Sequence, residues 1–208
     1  FNRELNCWIW TTFNSFQWDL NYANPNVLVA MAENLLYLVH EGINAFRLDA
    51  VPHIWKRKGS SCKNEPECAL IVEIICTLAR MISPHVCFIS EAIMAPEDVT
   101  NMISPRAAAV AYRPLLPAGM WSALSTADTT IMSYQLYRFS RLQAGCTWIN
   151  YVNCHDDLHW VLSNRALKEQ FPQGREHEIY AHVLRFYCNR QDQSFARGLI
   201  FQRDRISG

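Results

Sequence analysis

The feature that most constrains the fold of this 208-residue chain is the alternation of helical and extended segments. Stretches with apolar residues at helical spacing each lead into a short apolar run typical of a strand. The predicted helices cover about residues 26–41, 66–82, 96–103, 120–142 and 176–189, and the predicted strands about residues 42–46, 86–90, 107–112 and 147–152. Such alternation indicates an α/β protein with a parallel sheet and helical crossovers.

Charged residues stand where three of these strands end. Arg47 and Asp49 come at the end of the first strand, Glu91 follows the second, and residues 155–157 follow the last. In a (β/α)8 barrel, the carboxyl ends of the strands carry the active site, and alternation along a strand puts Arg47 and Asp49 on one face. Because a whole barrel needs about 250 residues, we expect the chain to form part of one.

Charge and hydropathy argue against two classes of protein. Lysine plus arginine and aspartate plus glutamate each number 19, and no run of like charges forms the basic stripe that nucleic acid binding requires. The longest apolar stretches are far shorter than the roughly 18 residues of a membrane span. We therefore expect a soluble protein that acts on neutral ligands. Its oligomeric state, and whether it is cytoplasmic or secreted, do not follow from the sequence.

The eight cysteines form no Cys-x-x-Cys pair and have no histidines at metal-site spacing. The sequence therefore predicts reduced thiols in the core and no metal site built from cysteines. The alternative for one pair is a disulfide between Cys62 and Cys68, which flank a loop that contains Pro66.

Asp49 has two interpretations. It could cap a helix that starts near Pro52, a common place for an aspartate. Arg47 on the same face favours a functional role, because an inward-pointing guanidinium without a partner would be costly. Beside that guanidinium, the Asp49 carboxylate would stay ionised and nucleophilic.

Glu91, taken alone, could be a solvated loop carboxylate. With Asp49 on what is predicted to be the neighbouring strand, it fits the carboxyl pair of retaining glycosidases, about 5 to 5.5 Å apart. One carboxyl of such a pair is the nucleophile and the other is first an acid and then a base. Glu91, in a drier setting, would be the proton donor.

The acids after the last strand also have two interpretations. His155 and Asp156 could be a satisfied core pair, and Asp157 an exposed loop acid. In a sugar site, a third carboxylate would instead bind ring hydroxyls and favour an oxocarbenium-like state of the sugar, while His155 donates a hydrogen bond to a hydroxyl. Aromatic side chains, which are most often core, are further candidates for stacking on sugar rings: Phe13, Phe16, Trp18, Tyr22 and Trp55.

Three short motifs, residues 46–50, 90–92 and 153–157, resemble the second, third and fourth signature regions of the α-amylase superfamily. Longer runs are similar to amylosucrases and their sucrose-hydrolysing relatives: residues 10–22, 54–56, 90–93, 148–152 and 194–198. The resemblance implies a partial (β/α)8 TIM barrel with about the fourth to seventh strands. Residues 1–25 would end an inserted loop subdomain, residues 26–157 would form the central barrel, and residues 158–208 would be an insertion.

The resemblance also implies roles for individual residues. Asp49 would take a glucosyl unit from sucrose, Glu91 would protonate the departing fructose, and Asp156 would stabilise the transition state. Further substrate-binding positions would be Arg47 and His155 in the glucosyl subsite and Asp157 and Arg205 near the acceptor subsite.

The expected function is retaining α-glucosyl transfer from sucrose to an α-glucan, without a metal or organic cofactor, in a longer parent protein. The piece alone is expected to be inactive. One alternative is a hydrolase or isomerase of sucrose or related α-glucosides. Another, from a different class, is a sugar-binding protein that lacks catalysis.

Overall fold

The computed structural model describes residues 1–139, 141–156, 158, 175–188 and 194–199. The chain divides into two compact units. The first comprises Phe1–Tyr112 with Leu142–Ile149, and the second comprises Arg113–Arg141 with Asn150–Gly208. None of the described helices is long and apolar enough to cross a membrane.

A parallel four-stranded sheet is the centre of the first unit, as the alternation predicted. Its strands are β1 (Ala45–Leu48), β2 (Cys87–Ser90), β3 (Val110–Tyr112) and β4 (Thr147–Ile149), in the order β1-β2-β3-β4. Strands that are neighbours in sequence are therefore neighbours in space. The register pairs Leu48 with Ser90, and Ser90 with Ala111. The carboxyl ends of these strands consequently lie along one edge of the sheet.

Three helices of the first unit begin at prolines: α1 (Pro25–His40), α2 (Pro66–Ile82) and α3 (Pro96–Met102). Proline suits the first helical turn because its missing N–H would have no partner there. The Asn24 side chain caps α1 by accepting from the Asn26 amide at 3.1 Å. Gly42, at φ +92°, takes the chain out of α1 into β1.

The core of the first unit is formed by residues of the sheet and of α1, α2 and α3. Phe88 of β2 is completely buried and stacks on Phe46 of β1, with ring centroids 5.7 Å apart. Arg80 of α2 lies over the Phe88 ring and donates to the Ala107 carbonyl oxygen at 2.7 Å. The buried face of α2 recurs at helical spacing, with Cys68, Ile71, Val72, Ile75, Cys76 and Ala79. The helical period of the sequence therefore corresponds to a packed face.

The second unit is helical in its described part, with α4 (Leu116–Thr126), α5 (Thr130–Arg138) and α6 (Arg175–Tyr187). α4 packs against both of the others. Two hydrogen bonds join α6 to α4: the His182 ring to the Ser125 carbonyl oxygen at 2.7 Å, and the Tyr187 hydroxyl to the Trp121 carbonyl oxygen at 2.7 Å. These contacts fix the position of α6 on α4.

Several predicted boundaries are wrong. One continuous helix over residues 120–142 was expected, but α4 starts at Leu116 and the left-handed Ala127, at φ +53°, separates it from α5. The first strand starts at Ala45 rather than Gly42, because the Ile43 amide still bonds to the Leu38 carbonyl oxygen of α1. Within β1, Ala45 is exposed and the other three residues are half-buried.

The strand predicted over residues 147–152 ends at Ile149, and the strand predicted from residue 107 begins only at Val110. The helix expected near Pro52 is a single 3-10 turn, Val51–His53. The predicted helix over residues 66–82 is confirmed over its whole length.

All eight cysteines are free thiols. The proposed partners Cys62 and Cys68 each bond to a backbone carbonyl oxygen, of Arg57 at 3.3 Å and of Pro52 at 3.6 Å. Burial raises the pKa of the Cys76 thiol to about 12. The prediction of core thiols is confirmed for Cys62, Cys68 and Cys76 and is wrong for the exposed Cys7, Cys87 and Cys154.

Candidate functional site

Asp49 and Glu91 follow directly on β1 and β2, whose last residues Leu48 and Ser90 are paired in register. They therefore leave neighbouring strands at the same edge of the sheet. Their surroundings differ, because the Asp49 side chain is 74% exposed and the Glu91 side chain only 13%. The prediction that Glu91 is the drier of the two carboxyls is confirmed.

Arg47 lies between these two carboxylates. Its Nη1 donates to Asp49 Oδ1 at 2.6 Å, and its Nη2 lies 3.7 Å from Glu91 Oε1. The predicted pairing of Arg47 with Asp49 is therefore confirmed. Partial burial lowers the pKa of the Arg47 guanidinium, but the hydrogen bond to Asp49 and the charge of Glu91 outweigh it and raise that pKa above its ordinary value. The guanidinium stays charged between its two partners.

Backbone amides hold Glu91 from the other side. The Ala50 amide donates to Glu91 Oε2 at 2.7 Å, and the Val51 amide donates to the Glu91 carbonyl oxygen at 3.1 Å. Ala50 adopts a left-handed conformation, at φ +45°, between β1 and the 3-10 turn. The turn has no side-chain cap, so the interpretation of Asp49 as a helix cap is wrong.

Chemically, the arrangement offers two carboxyl groups of different character. Asp49 is open to solvent, has a cation beside it and can present an oxygen to a ligand. Glu91 is shielded, and the amide bond to Oε2 restricts its rotation. Two unlike carboxyls on adjacent strand ends are what a retaining glycosidic mechanism requires.

His155 and Asp156 belong to the second unit, where His155 Nε2 lies 3.3 Å from Asp156 Oδ2. Both side chains are exposed, so their interpretation as a core pair is wrong. The structure brings together Arg47, Asp49 and Glu91 in the first unit, and His155 and Asp156 in the second. The other two predicted site residues, Asp157 and Arg205, lie outside the described residues.

Among the described residues, Cys154, His155 and Asp156 could supply three ligand atoms to a metal ion, since these atoms lie within 4.8 Å of one another. All three side chains are exposed, and exposed groups of this kind are common without a metal. The donor types, sulfur, nitrogen and oxygen, are those that zinc accepts.

A second polar cluster, centred on Lys56, was not predicted. Lys56 Nζ lies 2.5 Å from Asp19 Oδ2 and donates to Thr12 Oγ1 at 3.0 Å and to the His53 carbonyl oxygen. Burial raises the pKa of the Asp19 carboxyl, but hydrogen bonds from Lys56 and Thr12 lower it more, so the net pKa lies below the ordinary value. Thr12 and Lys56 are 44 residues apart, so no local pattern in the sequence could reveal the contact.

Tyr112 is a second residue that sequence reasoning missed. It ends β3 and lies close enough to Arg47 to contribute to the raised pKa of that guanidinium. The strand that contains Tyr112 was predicted. Tyr112 was not proposed as a site residue, because the prediction relied on charged residues at strand ends.

A parallel sheet with an arginine and two carboxylates at the carboxyl ends of adjacent strands is the arrangement that part of an α/β barrel presents on its active-site side. Residues 1–102 match the family model for the alpha amylase catalytic domain. This range, 102 of the 208 residues, includes Arg47, Asp49 and Glu91, so the charged residues of the first unit lie in the part of the chain that matches that family. The predicted fold, part of a TIM barrel, is thereby confirmed.

Known proteins with similar sequences are enzymes of glucoside metabolism. A glucosylglycerate phosphorylase from Allomeiothermus silvanus is 33% identical over 165 residues, which is 78% of this chain and 30% of that protein. A trehalose synthase from Thermus thermophilus is 27% identical over 194 residues, which is 91% of this chain and 19% of that protein. The chain thus spans less than a third of the length of these relatives.

The crystal structure of sucrose 6F-phosphate phosphorylase from Thermoanaerobacter thermosaccharolyticum has a similar fold, with a TM-score of 0.66. The match covers 87% of this chain and 35% of that chain, at 19% identity. None of these three similar proteins is described as an amylosucrase.

Proposed function

We propose that this chain supplies the nucleophile and the acid/base catalyst of an enzyme that transfers α-glucosyl units with retention of configuration. The observation that carries the proposal is the position of Arg47, whose guanidinium contacts Asp49 at 2.6 Å and lies 3.7 Å from Glu91. This geometry holds two carboxyls of unlike exposure at one edge of the sheet. Retaining glycosidases use such a pair.

In the first step, an Asp49 oxygen attacks the anomeric carbon as the bond from that carbon to the leaving oxygen breaks. Glu91 gives its proton to the leaving oxygen, so the leaving group departs as an alcohol and the glucosyl unit stays bound to Asp49. Because Glu91 Oε2 accepts from the Ala50 amide, Oε1 is the oxygen that would carry the proton. Arg47 holds the Asp49 carboxylate in place for the attack.

In the second step, Glu91 removes a proton from the acceptor hydroxyl, whose oxygen attacks the same carbon. The ester bond to Asp49 breaks, and its carboxylate is regenerated. We assign stabilisation of the oxocarbenium-like state to Asp156 and a hydrogen bond to the glucosyl unit to His155. We assign binding of the acceptor to Asp157 and Arg205. This chemistry requires neither a metal nor an organic cofactor.

For the donor and acceptor we propose sucrose and an α-glucan, as in amylosucrases. The support is the similarity of the runs at residues 10–22, 54–56, 148–152 and 194–198 to that family. The even balance of 19 basic and 19 acidic residues also suits uncharged sugars.

A second candidate is transfer of the glucosyl unit to phosphate. The observation that favours it is the similarity to a glucosylglycerate phosphorylase, at 33% identity over 78% of this chain. Both candidates share the first step and the same two carboxyls. They differ only in the molecule that takes the glucosyl unit from Asp49. Hydrolysis, isomerisation and sugar binding without turnover remain further outcomes of the same assay.

The test uses a full-length protein that contains this chain, incubated with sucrose with and without inorganic phosphate. Fructose release together with glucan supports the first candidate, and glucose 1-phosphate supports the second. Free glucose alone would indicate a hydrolase. Binding of sucrose in calorimetry without turnover would overturn the catalytic proposal.

Asp49→Asn is the decisive variant, because it removes the nucleophilic oxygen and leaves the size of the side chain unchanged. We expect release of fructose to fall by at least about a thousandfold. Asp98→Asn, at an exposed position of α3, is the matched control and should leave the rate unchanged. Undiminished release in Asp49→Asn would contradict the assignment of the nucleophile.

A further inference from the structure

The ammonium group of Lys56 is enclosed and fully hydrogen-bonded. Its three polar contacts, to Asp19 Oδ2, Thr12 Oγ1 and the His53 carbonyl oxygen, match the three donors of an ammonium group. The Lys56 side chain is only 15% exposed and that of Asp19 only 16%. Because this ion pair is largely buried, dissolved salt weakens it much less than it weakens a surface pair. The pair therefore holds Lys56 and Asp19 in fixed positions.

One of these contacts connects Lys56 to the turn that binds the Glu91 carboxyl. The His53 carbonyl oxygen that Lys56 binds belongs to the last residue of the 3-10 turn. At the other end, Ala50 directly precedes the turn; its carbonyl oxygen accepts from the His53 amide at 2.9 Å, and its amide donates to Glu91 Oε2. The turn therefore connects Lys56 to the Glu91 carboxyl.

The turn needs both attachments. A 3-10 helix of three residues has poor hydrogen-bond geometry of its own. Ala50 is in the left-handed region, which an alanine occupies only where surrounding contacts hold it. Glu91 provides those contacts at one end of the turn, and Lys56 with Asp19 and Thr12 provides them at the other.

We infer that Lys56 is a positioning residue for Glu91. It acts through the 3-10 turn, and Asp19 supplies the counter-charge that keeps the ammonium group in place. The inference rests on the proposed function only in its catalytic consequence, namely that Glu91 transfers a proton. The mechanical link between Lys56 and the Ala50 amide is independent of that function.

Hydrogen exchange on this chain tests the link itself. Lys56→Met removes the charge but keeps most of the side-chain length, and we expect the Ala50 amide to exchange about tenfold faster. Lys58→Met, two residues on and exposed, is the matched control and should leave that amide unchanged. A folded Lys56→Met protein, by circular dichroism, with an unchanged Ala50 rate would overturn the inference.

Asp19→Asn serves if Lys56→Met fails to fold. It retains oxygen and volume at position 19 but removes the counter-charge, so the Ala50 amide should again exchange faster. An unchanged rate in this variant would also overturn the inference, because the ammonium would then stay in place without Asp19.

The catalytic consequence is tested in the full-length enzyme with two donors. Sucrose requires protonation of its leaving oxygen, whereas α-glucosyl fluoride does not, because fluoride is a good leaving group. The second step, in which Glu91 is the base, is common to both donors, so the comparison uses kcat/KM, which reports only the first step. For Lys56→Met we expect kcat/KM on sucrose to fall at least about tenfold while kcat/KM on α-glucosyl fluoride stays within about twofold. Equal losses on both donors would contradict positioning of the proton donor.

The two experiments separate the two claims. If the wild-type enzyme turns over neither donor, the proposed function fails, and the exchange result still decides whether Lys56 orders the turn. If turnover is present but Lys56→Met leaves the Ala50 amide protected, the positioning role fails and the proposed function is unaffected.

Discussion

The Arg47 guanidinium joins two acidic side chains at neighbouring strand ends: Nη1 lies 2.6 Å from Asp49 Oδ1 and Nη2 lies 3.7 Å from Glu91 Oε1. The planar guanidinium of an arginine can bind two carboxylates at once through different nitrogens. The single ammonium nitrogen of a lysine cannot reproduce this arrangement. The identity of the residue at position 47 should therefore matter more for activity than for stability.

Arg47→Lys tests this separation. Because the Asp49 side chain is 74% exposed, the ion pair should contribute little to stability, and we expect the free energy of unfolding to change by less than about 1 kcal/mol. Release of fructose by the full-length enzyme should fall by about a hundredfold or more. Urea denaturation and a fructose assay measure the two effects, with the exposed Arg106→Lys as control. Equal activity in both variants would contradict the role of Arg47.

Asp19→Asn should destabilise the chain in a pH-dependent way. The folded-state pKa of Asp19 is lowered, so its stabilising contribution is present above the unfolded value of about 4 and is lost as the pH falls through the folded value. We expect the wild type to be more stable than the variant by about 1 to 3 kcal/mol at pH 7 and by less at pH 3. Urea denaturation at several pH values measures this gap. A gap that does not narrow in acid would contradict the prediction, and Glu33→Gln on α1 is the exposed control.

His53 should resist protonation. Burial lowers the pKa of its imidazole, and the charges of Lys63 and Lys56 lower it further. The stability that neutral His53 contributes is therefore present above its unfolded pKa of about 6.5 and is lost as the pH falls through the lower folded value. In Lys63→Met, the His53 imidazole should titrate at a higher pH than in the wild type, by NMR. An unchanged titration would show that Lys63 is not a cause.

Phe88→Ala should be the most damaging change in the sheet. The side chain is fully buried between Phe46 and Arg80, so its removal leaves a cavity. We expect a loss of about 3 to 5 kcal/mol in the free energy of unfolding. Leu70→Ala, on the exposed face of α2, should cost less than about 1 kcal/mol. Similar losses in the two variants would contradict the described core.

Gly119→Ala tests the packing of α4 on α5. A Cβ at position 119 would come within 2.1 Å of Gln135 Oε1, and Gln135 is almost fully buried with neither of its amide atoms hydrogen-bonded to a described residue. We expect Gly119→Ala to cost about 1 to 3 kcal/mol. The cost should largely disappear in a Gln135→Ala background, so a double-mutant cycle measures the coupling. Additive effects would contradict the close contact.

The sequence predicted the parts of the fold whose signals are local. α2 was predicted over its whole length because a proline starts it and its apolar residues recur with the helical period. The proximity of Asp49 and Glu91 followed from one general rule, that parallel strands expose their carboxyl ends at the same edge. Arg47 was placed with them because side chains alternate along a strand.

Other features depend on contacts that no local pattern reports. The break between α4 and α5 lies at Ala127, a left-handed alanine with no glycine to mark it. The ion pair of Lys56 with Asp19 joins a loop near the start of the chain to the segment after β1, so the sequence indicates neither partner. The start of β1 was misplaced because Ile43, though apolar, still bonds to the end of α1.

The order of the sheet, β1-β2-β3-β4, has a consequence for how the site is assembled. The contacts among Arg47, Asp49, Glu91 and the Ala50 amide are all made by residues from Arg47 in β1 to Glu91, which directly follows β2, with a single crossover through α2. During synthesis, which proceeds from the N-terminus, the pair of carboxyls can form once β2 has emerged, before β3 and β4 are made. The contacts of the two carboxyls thus require no residue of β3 or β4, and they can be in place before the sheet is complete.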